Sequence, residues 1–150
     1  MRRRLFRRSI AYMLTPPAKI TEIKRLYFRY RVGNYSNGTE DFSIEKTDDG
    51  YFLRSHRDGS KITHDAAVDG EFARKVEALL REYNAGSWNG YDGNDMRVLD
   101  GRDFELTVSF TDGSELRARG YAAFPKNFRE VREGLEKLFL PFAEHSEDEV

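Results

Sequence analysis

Phe104-Glu105-Leu106-Thr107-Val108-Ser109-Phe110 alternates large apolar residues with polar ones. A period of two places every second side chain on one face of an extended chain, so this segment predicts a strand with one buried and one wet face. Asp112-Gly113 follows, and an Asp-Gly pair between alternating runs marks a tight hairpin, with the return strand over 115–121. The same period recurs upstream. Leu26, Phe28, Tyr30 and Val32 point one way, and Arg25, Tyr27, Arg29 and Arg31 the other. Phe42 and Ile44 alternate inward in a strand over 41–46, Asp49-Gly50 turns the chain, and 51–56 returns. Asp58-Gly59 leads into a weaker strand over 61–66.

Two segments carry helical spacing instead. Phe72, Val76, Leu79, Leu80 and Tyr83 form one apolar stripe over 70–84, with Asp69 placed to cap its first amides and Gly86 to end it. Phe128, Val131, Leu135, Leu138 and Phe139 form another over 126–140. Pro141 is expected to stop that helix, and Gly134 inside it implies a close neighbour. The order is ββββαββα with short links between strands, and short links force antiparallel pairing. The expected fold class is α+β: a single twisted antiparallel sheet with two helices packed on one face.

Composition sets further bounds. The chain has 150 residues, 39% hydrophobic and 13% aromatic, enough for one domain with a real core. The net charge of −1 conceals an asymmetry, with ten bases and one acid in residues 1–31 and four acids in 144–150. A basic flexible leader over 1–18, a single domain over 19–142 and an acidic disordered tail over 143–150 are expected. Without cysteine, disulfides, thiolate metal sites and a cysteine nucleophile are excluded, which fits a reducing compartment and a cytoplasmic protein. Arg3-Arg4-Leu5-Phe6 matches a fragment of a twin-arginine signal, but the apolar run after it stops at Pro16-Pro17. No segment approaches the ~18 apolar residues of a membrane span.

The loop 88–101, Trp-Asn-Gly-Tyr-Asp-Gly-Asn-Asp-Met-Arg-Val-Leu-Asp-Gly, is the most particular stretch of the chain. Long loops inside compact domains are often functional, so Trp88, Tyr91, Asp92, Asn94, Asp95, Arg97 and Asp100 are candidate binding residues. A calcium loop starting at Asp92 fails, because Arg97 stands where glycine is needed and Asp103 where glutamate closes the site. Turn and capping bonds are the ordinary work of such Asp and Asn residues. A ring of Trp88 partly buried over the helix–sheet junction, with Tyr91 accessible, would clamp the loop.

Arg25, Tyr27, Arg29 and Arg31 interleave bases with an aromatic ring, as a single-strand nucleic-acid platform does. Asp41, Glu45, Glu105, Arg117 and Arg119 share that face, and mixed signs suit a solvated sheet better than a phosphate track. His56 and His64, with Asp65, could meet across two strands, but no metal-ligand spacing supports them. Neither a Gly-x-Ser-x-Gly elbow nor a phosphate-binding glycine loop is present. No catalytic residue, metal or cofactor is expected.

Ser87-Trp88-Asn89-Gly90-Tyr91, Val98-Leu99-Asp100-Gly101 and Phe124-Pro125-Lys126-Asn127-Phe128 together resemble a family of uncharacterised bacterial domains with a W-N-G-[FY] … V-L-D-G … F-P-x-N pattern. These domains are associated with gut and anaerobic bacteria, alone or behind lipoprotein leaders. The similarity spans residues 19–140 and implies a fold without an assigned activity; this chain lacks the lipobox cysteine. The reading that follows is a bacterial, non-enzymatic binding module with an unknown protein or peptide partner and its contact region at 88–101. One alternative is a nucleic-acid-associated protein using Arg2 to Arg8 and the Arg25–Arg31 strand. Another is a small enzyme or calcium-binding domain using Asp92, Asp95 and Asp100.

Overall fold

The computed structural model describes residues 6–7, 15–32, 39–57, 64–95, 97 and 101–148, with backbone alone at 6–7 and 143–148. The strands are β1 (Phe6–Arg7), β2 (Ile23–Val32), β3 (Glu40–Thr47), β4 (Gly50–Arg57), β5 (His64–Val68), β6 (Asp92–Asp95), β7 (Arg102–Phe110) and β8 (Glu115–Tyr121). Helix α1 (Gly70–Glu82) and a one-turn 3-10 helix (Ala85–Trp88) lie between β5 and β6, and α2 (Phe128–Asp148) closes the chain. The seven strands β2 to β8 form one mixed sheet that the two-residue β1 extends, in the order β1-β6-β8-β7-β2-β3-β4-β5.

The alternation in β2, β3 and β7 sets the sheet as expected. Phe28, Phe104, Leu106, Val108 and Phe110 are each at most 2% exposed. They share one core with both helices: Phe42 stacks on Phe139 of α2 at 5.0 Å, Phe28 lies 6.2 Å from Phe128, and Phe72 of α1 meets Phe139 edge-on at 5.2 Å. Asp69 caps α1 by accepting from the Phe72 amide at 3.2 Å. Gly134 is the close neighbour its position implied, since a Cβ there would run into the Leu79 side chain.

Three expectations are corrected. The sheet is not purely antiparallel, because β6 pairs β8 in parallel. Asp92-Gly93-Asn94-Asp95 consists of residues depleted in strands, so no local pattern announces it; it pairs because the chain crosses to insert the β7–β8 hairpin beside β2. Second, Gly86 does not end α1. Asn84 takes the left-handed conformation there, at φ 56°, while Gly86 sits so close to the Ala18 carbonyl that no Cβ fits.

Third, α2 does not stop at Pro141 but runs to Asp148. The proline forfeits one backbone hydrogen bond, yet rings on either side of it hold the helix down, Phe139 and Phe142 lying 5.2 and 5.7 Å from Phe72. Phe6 and Arg7 stand opposite Asp95 and Asn94, and the Ala18 amide donates to Gly86 at 2.9 Å. No helix among the described residues is long and apolar enough to cross a membrane.

Candidate functional site

The face of the sheet away from the helices is a lattice of charges set by strand register. Across six strands, His56, Asp41, Arg29, Glu105, Arg119 and Asp92 stand side by side in one lateral row. Each arginine in the row lies between two acids. Arg29 reaches Glu105 at 3.6 Å and Arg119 reaches Asp92 at 3.3 Å. Outside the row, Arg25 pairs with Glu45 at 3.4 Å, Arg31 with Asp103 at 2.9 Å and Arg54 with Asp65 at 3.0 Å. The Tyr27 hydroxyl donates to Asp41 at 3.0 Å, and burial followed by the Asp41 charge pushes its pKa up to about 12. Arg25, Tyr27, Arg29 and Arg31 therefore share one face, as their alternation implies, but each already has an acidic neighbour.

The loop 88–101 is divided by the fold. Trp88 is 1% exposed and Tyr91 2%, which corrects the expectation of a partly exposed indole and an accessible tyrosine. The indole N–H donates to the Lys126 carbonyl at 3.0 Å, and the ring packs edge-on against Phe104. The Asn127 side chain donates to the Tyr83 carbonyl, and Asn89 bonds both Pro16 and Arg117 backbone. The W-N-G and F-P-x-N signatures thus fasten the 3-10 helix to the start of α2. Their tryptophan and asparagines are architectural.

Of the other candidates, Asn94 and Arg97 are exposed and Asp92 and Asp95 half-buried. Asp92 and Asn94 belong to β6, which lies between β8 and the two-residue β1. Asp95 holds Arg97 at 3.2 Å, and that hydrogen bond lowers the Asp95 pKa. Asp100 lies outside the described residues, as do Val98 and Leu99.

Asp92 and Asn94 line a hollow of about 290 Å³ together with Arg29, Asp103, Arg119 and Tyr121. Two residue groups that look like rivals in the sequence, loop acids and strand arginines, meet there. A neighbouring hollow of about 280 Å³ shares Asp92, Glu105 and Arg119, so the two form one trough. Two atoms of residues that line it are anomalous: Arg29 Nε and Asp103 Oδ1 are buried beneath its surface and have no hydrogen-bond partner among the described residues. Arg29 faces Glu105 across β2–β7, which makes Asp103, two residues away, its diagonal neighbour on the same face. Leaving such groups unsatisfied costs about 1–3 kcal/mol each.

Asp103, Arg119 and Tyr121 were not candidates from sequence. Their signal is register: Tyr121 opposes both Asp103 and Asn94, an arrangement no local spacing reveals. The histidine pair does not converge. His64 is buried and paired in register with the inward Ser55, whereas neighbouring His56 and Asp65 belong to the opposite face, and Asp65 is bound to Arg54. No cluster of metal-ligating side chains occurs among the described residues. No family model, curated protein or solved structure matches the chain.

Proposed function

We propose that the protein is a non-catalytic binding module of the bacterial cytoplasm whose contact surface is the trough at the β6 end of the uncovered sheet face. Its partner is a protein or peptide that presents a backbone amide there. The carrying observation is the orphaned pair, Arg29 Nε as donor and Asp103 Oδ1 as acceptor. A peptide group supplies one carbonyl acceptor and one N–H donor, the complement of that pair. The contact region keeps Asp92 and Asn94 from the 88–101 loop and gives up Trp88 and Tyr91, which serve the core.

Charge argues against nucleic acid as the occupant. Arg29 and Arg119 contribute two positive charges to the hollow, and Asp92, Asp103 and Glu105 three negative ones, for a balance of −1. Phosphate binding draws its affinity from a surplus of positive charge.

Selection from a randomised peptide library on the full chain tests the reading. Peptides that bind the wild type should lose affinity on Arg29→Ala and Asp103→Ala and shift the amide resonances of Gly93, Asn94 and Tyr121. Peptides that bind all three proteins equally, or that perturb other strands, would overturn it. Salt-dependent binding of an oligothymidylate at Arg25 and Arg31 would replace it with the nucleic-acid reading.

A further inference from the structure

A further hollow lies elsewhere, at the start of α2. Its volume is about 520 Å³, within the range of small-molecule sites. Tyr30, Phe124 and Phe128 form its aromatic floor, with Phe124 and Phe128 centroids 4.7 Å apart and Tyr30 within 6.5 Å of both. Phe124 is 36% exposed, one of two large apolar side chains left open to solvent among the described residues.

Five charged side chains line the hollow, and three of them are engaged. Arg129 pairs with Glu133 at 3.2 Å. Arg132 lies 4.0 Å above the Tyr30 ring and bonds Glu40 and Glu136 at 3.3 and 3.0 Å. Arg102, at the start of β7, and Glu130, in the first turn of α2, are exposed and have no ionic partner among the described residues. One free base and one free acid from different elements thus border a single aromatic floor.

We propose that this hollow binds a free amino acid with an aromatic side chain. The ligand ring stacks on Phe124 and Phe128, its carboxylate meets the Arg102 guanidinium, and its ammonium meets the Glu130 carboxylate. Arginine accepts a carboxylate through two parallel N–H bonds, and stacked or edge-on rings add attraction beyond the area they bury. A simple anion would engage Arg102 alone and a simple cation Glu130 alone. A zwitterion satisfies both, and an interior residue of a peptide, lacking both termini, does not.

L-Phenylalanine titrated into the full-length labelled protein tests this by the amide shifts of Phe124, Asn127 and Arg129. N-acetylphenylalanine lacks the ammonium, phenylalanine amide lacks the carboxylate and alanine lacks the ring; each should bind at least about tenfold more weakly. Arg102→Ala should weaken phenylalanine while leaving the residual binding of phenylalanine amide unchanged, and Glu130→Gln should do the same for the N-acetyl form. Both side chains are exposed, so an unaltered remainder of the amide spectrum verifies the fold. Equal binding of phenylalanine and its capped forms would overturn the proposal. So would the absence of shifts at about 10 mM phenylalanine, beyond the millimolar end of measurable affinity.

Discussion

The Glu77 carboxylate, 6% exposed on α1, accepts a hydrogen bond from the Ile23 amide at 3.0 Å. Ile23 stands at a register shift where β2 loses step with β7, so its backbone groups need partners from outside the ladder. The carbonyl is met by the Tyr51 hydroxyl and the amide by Glu77, while Arg81 stands 4.0 Å from the same carboxylate. Helix α1 is thereby fixed to the one irregular point of the central strand. Glu77→Ala strands the amide and should cost about 1–3 kcal/mol in urea unfolding, with Glu77→Gln retaining most of the stability because it keeps an acceptor.

Glu40 supplies a pH dependence. Burial first, then a hydrogen bond with Glu136, raise its pKa from 4.5 to about 8 against the opposing pull of Arg132. A carboxyl whose folded value lies above its unfolded one stabilises in its protonated form. Its contribution is therefore complete below about 4.5 and is lost as pH rises through about 8. Denaturant midpoints of the wild type should fall between pH 5 and pH 8, and Glu40→Gln, neutral throughout, should flatten that part of the profile.

Trp88→Ala removes a ring that touches Phe104 and Phe128 and a donor to Lys126. A loss of about 3–5 kcal/mol is expected from the cavity. The single tryptophan of the wild type should emit well to the blue of free tryptophan and resist acrylamide. Full quenching would contradict its burial.

Pro141→Ala returns an N–H to the interior of α2, where Lys137 supplies the carbonyl four residues back. Stability should rise by up to about 3 kcal/mol, with stronger helical dichroism. No change in either would show that the helix beyond Phe139 contributes nothing to folding.

The parts of the fold legible in the sequence are those written at short range. Phe104 to Phe110 and Leu26 to Tyr30 announce their faces because burial repeats every second residue, and Phe72, Val76 and Leu80 announce theirs because it repeats at helical spacing. Strand β6 is invisible because Asp92 to Asp95 have no intrinsic strand preference and are recruited by β8. The passage of α2 through Pro141 is equally hidden, since it depends on Phe72, which lies far away in the chain. In the trough, Asp92 and Asn94 could be singled out as unusual loop residues, whereas Asp103, Arg119 and Tyr121 enter only through lateral register.

The alternating row from His56 to Asp92 governs how a partner reaches this face. Neighbouring strands lie about 4.8 Å apart, so opposite charges in the row repeat at less than one screening length, about 8 Å at physiological salt. Beyond that distance their fields cancel, and an approaching molecule senses almost no net potential. Encounter is then unguided, with rate constants nearer about 10⁵–10⁶ M⁻¹s⁻¹ than those of electrostatically steered pairs, and little changed by salt. Recognition on this surface begins only at contact, where the donors and acceptors of the lattice are resolved one by one.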